Sequence, residues 1–177
     1  MDELVLKAMV KWPNVPDCYG WLGLDARGDW YMRDDHTQAQ GSFTQSKGSR
    51  LTHEKLIAFI GRNYSVTQQG LWYFQNGPQR VFVELEATPW IWRLQTDGQI
   101  QSHTGVAARM QRCIMDEHGR LYLDTELGFG LLHSQDVLAA SELIEAGLWV
   151  PQEALAQALP TRFAYVRSPQ LQAKQKS

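Results

Sequence analysis

Cysteine is scarce in this chain. Its 177 residues include only Cys18 and Cys113, and no CxxC or Cys/His cluster surrounds either, which excludes a disulfide scaffold and a structural zinc site of the usual spacing. That usage implies a reducing, cytoplasmic compartment. An excess of charge of one sign is missing too. Seventeen Lys and Arg against nineteen Asp and Glu leave a net charge of −2, so there is no electrostatic footprint for nucleic acid or an anionic membrane. No stretch approaches the roughly 20 apolar residues that span a bilayer. The acidic start Met1-Asp2-Glu3, before a short run broken by Lys7, does not read as a secretion signal. GxSxG, P-loop and GxGxxG patterns are absent, which removes the commonest hydrolase, nucleotide and dinucleotide readings.

What is present is an ordinary complement of core formers, 44% hydrophobic, with seven tryptophans as its most unusual feature. Leu4, Ala8 and Trp12 lie four apart, with Val5 and Met9 offset by one, and predict a helix that Pro13 and Pro16 stop. The PxxP spacing reads as a connector. Tyr19 to Leu24 and Trp30 to Met32 predict a hairpin around Asp25-Ala26-Arg27-Gly28-Asp29. Asp34 to Arg50 reads as a long surface loop, and Thr52 as the cap of a helix burying Leu56, Ile57, Phe59 and Ile60. From residue 71 to 104 the pattern is a β meander, broken at Asn76-Gly77-Pro78, Thr88-Pro89 and Asp97-Gly98. A further hairpin spans Met110 to Leu123. Ser134 caps a helix to about Glu145, Pro151 opens a final helix that Pro160 ends, and Phe163 to Val166 adds a strand.

The expected fold class is α+β: a predominantly antiparallel sheet of meander and hairpins with three or four helices packed on it. Asp25 to Met32 matches Asp116 to Leu123 in Asp, Gly, Tyr and apolar character, which suggests a pseudo-twofold ββα repeat. One domain over 1–167 follows, with repeat halves 18–62 and 110–146 around the meander 71–104, and a polar tail over 168–177.

The strings WPNVPDCYGWLGLDARGDWYMRD, FIGRNY and WYFQNGPQRVFVELEATPWIWRL resemble an uncharacterised proteobacterial family, a domain of unknown function. The resemblance covers most of the chain up to about Thr104. It implies a bacterial, cytosolic protein with a single domain type, and it brings no activity and no catalytic or binding residue with it.

Site candidates therefore rest on chemistry. Glu84 and Glu86 share a strand face where two carboxylates can divide proton-transfer work. Arg80 lies on the same face and Arg93 on the next strand, so cross-strand ion pairing explains them without catalysis. Asp34-Asp35-His36 supplies metal-binding atom types, but adjacent residues point apart and make a poor chelate; no metal and no cofactor is expected. Cys18 is the more open of the two thiols, whereas Cys113 in a strand reads as a small core hydrophobe. Trp90 and Trp92 fill the core. Trp30 and Trp72 are placed outside it, near Gln75, Asn76 and Arg80, as contact residues together with Arg80 and Arg93. Glu84 and Glu86 on that surface disfavour a nucleic-acid partner. The resulting expectation is a non-catalytic binding or protein-interaction module, associating as a homodimer or with a protein partner near Trp72 or Trp30. The alternative is a small cytosolic enzyme using carboxylate and histidine acid–base chemistry.

Overall fold

A computed structural model of the chain describes residues 1–176; Ser177, the end of the expected tail, lies outside the described residues. The chain forms two compact units, one from residues 1–25, 29–86 and 165 onward, the other from residues 26–28 and 87–164. The fold class is mixed α+β.

The first unit is built on a six-stranded sheet from β1 (Cys18–Leu24), β2 (Trp30–Met32), β3 (Ser49–Arg50), β4 (Tyr64–Val66), β5 (Trp72–Asn76) and β6 (Gln79–Leu85), in the order β3-β2-β1-β6-β5-β4. Its helices are α1 (Glu3–Lys11), α2 (Asp35–Ala39), α3 (Glu54–Arg62) and α6 (Pro169–Lys176). The second unit holds a seven-stranded sheet from β7 (Trp90–Leu94), β8 (Ile100–Ser102), β9 (Ala107–Ala108), β10 (Met110–Met115), β11 (Leu121–Thr125), β12 (Gly128–Leu132) and β13 (Gln152–Glu153), in the order β13-β10-β11-β12-β7-β8-β9. It carries α4 (Val137–Glu145) and α5 (Leu159–Arg162).

Several expectations are corrected. The sheets are mixed, because β1 pairs β6, β12 pairs β7 and β10 pairs β13 in parallel. The meander over 71–104 is not one sheet, since β5 and β6 belong to the first and β7 and β8 to the second. Among the described residues six α-helices stand where three or four helices were expected. The long loop after Asp34 contains α2 and β3, and the polar tail forms α6, seated on β6 and β1. Pro151 precedes β13 rather than opening a helix, Pro160 lies in the first turn of α5, and Phe163 to Val166 forms no strand. Thr52 and Ser134 are each one residue from the true cap: the Nδ1 atoms of His53 and His133 accept the amides of Leu56 (3.2 Å) and Gln135 (3.1 Å).

The likeness of the two DxxG segments is a likeness of turns. In each, the Asp amide donates to the carbonyl four residues on, and its carboxylate accepts that residue's amide. Thr67 and Ser102 make the same turn with a hydroxyl in place of the carboxylate. Gly28, Gly70, Gly105 and Gly119 occupy its fourth position at φ between 75° and 86°, where a side chain would be strained. One turn chemistry used four times accounts for the shared spacing, so the spacing does not require a duplicated ββα unit.

All four sheet edges are short, with two residues in β3, β9 and β13 and three in β4. Edges of that length offer little to an incoming strand. No helix among the described residues is long and apolar enough to cross a membrane.

Candidate functional site

The first sheet positions its side chains by alternation, so that Cys18, Leu22, Phe74 and Val81 face one side while Tyr73, Gln75, Arg80, Phe82 and Glu84 face the other. Pairing of β1 with β6 slips between Cys18↔Val81 and Leu22↔Val83. The slip passes through Gly20, at φ 83°, and it turns Trp21 outward beside Leu22.

Over the first side lies α3. Of its apolar stripe only Ile60 is buried, while Ile57 and Phe59 are half-buried and Leu56 is exposed. The sheet therefore covers the helix incompletely, and a groove of about 370 Å³ remains. Its floor is Leu22, Phe74 and Val81, and its rim carries Trp21, Met32 and Leu56. Asn76 and Gln79 supply amides at one end. Cys18 also lines it, and burial pushes its thiol up, the opposite of what a nucleophile needs.

The other side of the sheet is held by charge. Arg33 is 0% exposed, and its guanidinium donates to the carbonyls of Gly20 (3.1 Å), Gly41 (2.7 Å) and Ser46 (3.0 Å). Three peptide oxygens thus receive the guanidinium, with the Glu84 carboxylate near enough to favour its charge, and they fix residues 34–50 around one cation. Glu84, also buried, accepts from Ser168 Oγ (2.5 Å) and the Gln170 amide (2.9 Å) at the start of α6. Burial raises its pKa, while these two hydrogen bonds, Arg33 and Lys174 oppose the rise. Ser168 Oγ in turn accepts the Leu171 amide (3.3 Å). Glu84 is therefore an anchor for a helix N-terminus.

The four charged candidates do not converge. Glu86 takes Lys47 (2.9 Å) in place of an arginine, with Asp25 Oδ2 3.7 Å from the same ammonium. Arg80 pairs with Asp17 (2.9 and 3.2 Å). Arg93 belongs to the second unit and pairs with Asp136 (2.7 Å). The expected pairing of Glu84 or Glu86 with Arg80 or Arg93 is thus corrected: each found a partner far along the chain that sequence proximity does not reveal. Trp30 and Trp72, expected outside the core, are buried and each contacts the Tyr64 ring, at ring distances of 5.3 and 4.8 Å. The tryptophans that do reach solvent are Trp12, 51% exposed, and Trp21, 36% exposed. The four-residue spacing places Trp12 on the helical stripe with Leu4 and Ala8, but α1 seats itself by Val5 instead and leaves Leu4 and Trp12 outward. Asp34 caps α2 through Thr37 N (2.8 Å) and His36 meets Gln40 (2.8 Å). No three His, Cys, Asp or Glu side chains gather into a metal-holding group among the described residues.

In the second unit, Asp116 accepts from the amides of His118 and Arg120, from the Arg120 side chain and from the Tyr122 hydroxyl. These bonds hold its pKa below the usual carboxylate range against its burial. It is a turn anchor. His103 is half-buried, with Nε2 shielded from solvent and Nδ1 accepting the Ile91 amide (3.2 Å), and desolvation lowers its pKa to about 3, which keeps it neutral. Cys113 is buried and pushed up to about 11, as a core thiol should be.

No curated protein matches the sequence. Among solved structures the chain is similar to a DUF1285 family protein from Silicibacter pomeroyi DSS-3, with 13% identity, 81% of this chain and 85% of that chain covered, and a TM-score of 0.51. A DUF1285 family protein from Shewanella baltica OS155 also matches, at 14% identity over 69% of this chain and 91% of that one, with a TM-score of 0.47. At such identity the first likeness concerns the fold alone. A family model described as "Protein of unknown function (DUF2946)" matches residues 1–170, nearly the whole chain, and the chain belongs to that family.

Proposed function

We propose that this chain is a non-catalytic binding module whose site is the groove under α3, taking the apolar body of a small ligand and meeting its polar end with Asn76 and Gln79. The observation that carries the reading is the half-covered stripe of α3: its Leu56, with Met32 of β2 and Trp21 of β1, stands partly in water around an apolar floor. A volume of about 370 Å³ lies within the range of small-molecule sites, roughly 300 to 1,000 Å³. The commitment of Glu84, Glu86, Arg80 and Arg93 to separate anchoring bonds supports binding over acid–base catalysis.

The test uses Cys18 as a reporter. Octanamide, an alkyl chain with a carboxamide end, is expected to slow the reaction of Cys18 with N-ethylmaleimide saturably and to shift Trp21 emission to the blue, and Leu56→Glu should abolish both effects. A Cys18 rate indifferent to octanamide up to its solubility limit would sink the reading.

Around this site, we take residues 1–167 as one functional domain, in the cytoplasm of a bacterium. The two free thiols support the compartment. The ββα repeat has weaker support, since the DxxG turn recurs elsewhere with hydroxyl anchors. A second reading, association with another copy or a protein partner, is favoured by the outward Leu4, Leu6 and Val10 of α1. Sedimentation at micromolar concentration should show a dimer that Val10→Asp disperses, and a monomer throughout that range refutes the self-association.

A further inference from the structure

On the opposite face of the same sheet from the α3 groove lies a cleft of about 350 Å³. We propose that it is a second binding site, for a neutral planar ligand that donates an amide-type N–H to Gln75 Oε1. The proposal stands independently of the groove.

The segment after α1 builds one wall. Gln79 Nε2 donates to Pro16 O (3.0 Å) and Arg80 grips Asp17, so the segment is clamped to β6 at residues 16 and 17 and the PxxP stretch is a structural connector. Trp12 and Pro13 form that wall, Tyr73 and Arg80 the other, and Gln75 lies between them.

Gln75 is 1% exposed. Its Nε2 donates to Gly77 O (2.9 Å), while Oε1 has no hydrogen-bond donor. Turning the amide over would set Oε1 against the Gly77 carbonyl, acceptor to acceptor, so the orientation is fixed by the strand turn. Arg80, the cross-strand partner of Gln75, is turned to Asp17 and lies over the rings of Tyr73 (5.9 Å) and Phe82 (5.8 Å). Buried carbonyl oxygens without a donor are rare in folded proteins and costly to keep. One that lines a cleft is a recognition atom awaiting an N–H.

The surroundings define the rest of the ligand. Asp17 and Arg80 neutralise each other at the rim, so the cleft selects no net charge. Flat walls of indole, phenol and prolyl ring favour a planar body. Oε1 is shielded from solvent, so the wall must give by about an atom's width for a ligand to reach it. Trp12 is the part able to do so, being the exposed C-cap of α1 with the Lys11 ammonium over its ring (4.5 Å).

The experiment compares benzamide with acetophenone, which has the same ring and carbonyl but a methyl group in place of the N–H donor. In ¹H–¹⁵N spectra of the full chain, benzamide should shift the Trp12 indole and Gln75 side-chain amide signals saturably. Acetophenone should bind at least about tenfold more weakly, the value of one hydrogen bond to a buried acceptor. Gln75→Met should erase the difference between the two probes. Should that variant fold poorly, Trp12→Ala, at an exposed position, should weaken benzamide binding with an unchanged melting curve. Equal affinity of the two probes, shifts confined to Leu56 and Trp21 in the α3 groove, or no saturable shift overturns the proposal, and only the second of these outcomes supports the groove.

Discussion

His103 offers the sharpest quantitative prediction. Its ring is half-buried with Nε2 out of solvent, accepts the Ile91 amide through Nδ1, lies 5.7 Å from the Trp90 ring and is held neutral with a pKa of about 3 against an ordinary 6.5. In the unfolded chain the same imidazole takes a proton as the pH falls through about 6.5. A group whose folded pKa is depressed contributes stability that is complete above the unfolded pKa and is lost as pH falls toward the folded one. The loss should be about 1.4 kcal/mol per pH unit below about pH 6, or roughly 3 kcal/mol by pH 4. Carboxylates with lowered pKa values, Asp116 and Asp136 among them, also lose stability on acidification, so the raw pH slope is not diagnostic. The difference between wild type and His103→Leu is. That variant leaves the Ile91 amide without its acceptor, which costs about 1 to 3 kcal/mol at pH 7, but it has nothing to titrate. Urea unfolding at pH 7, 6, 5 and 4 should therefore show the two stabilities converging as pH falls. Parallel stability curves would refute the reasoning and mean that the imidazole finds its proton without unfolding.

Two further predictions concern the charged face of the first sheet. Arg33→Met should destabilise by about 3 kcal/mol or more, since Gly20, Gly41 and Ser46 would each lose a buried donor; limited proteolysis should then cut between residues 34 and 50, and an uncut variant would show that another group holds that loop. Glu84 has its pKa raised, so its contribution is fullest below the ordinary carboxylate pKa and declines as pH rises through the folded value. Glu84→Gln, whose amide oxygen can accept the Gln170 amide while its NH₂ donates to Ser168 Oγ, should leave stability unchanged or higher at pH 7 to 8. Urea titration checks this, and a marked loss in that range would mean that the carboxylate charge itself holds α6.

Local chemistry was legible without the structure. Proline and glycine breaks, alternating apolar residues and the DxxG spacing located most strands between residues 18 and 132, because a turn and its two flanks are set by neighbours within about five residues. Such signals also have a limit, in that a turn form used four times produces the spacing of a duplicated unit without requiring one. Caps were displaced by one residue, since an imidazole nitrogen accepts an amide as a hydroxyl does, and pattern alone favours the hydroxyl.

Partnership across the chain was not legible. Glu84 and Arg80 lie on one strand four residues apart, yet one ends at Ser168 and the other at Asp17. Arg33 carries no local mark of burial, because the carbonyls that receive it come from β1 and from two points of the segment 34–50. The exposed indoles are Trp12 and Trp21 rather than Trp30 and Trp72, since a two-residue slip against β6 and the way α1 seats on the sheet decide which ring meets water. The sequence by itself determined most of the strands, the turn chemistry and the family. Only the tertiary structure decided the division into two sheets, the half-covered stripe of α3 and the stranded carbonyl of Gln75, because burial and hydrogen-bond satisfaction are properties of which distant segments meet.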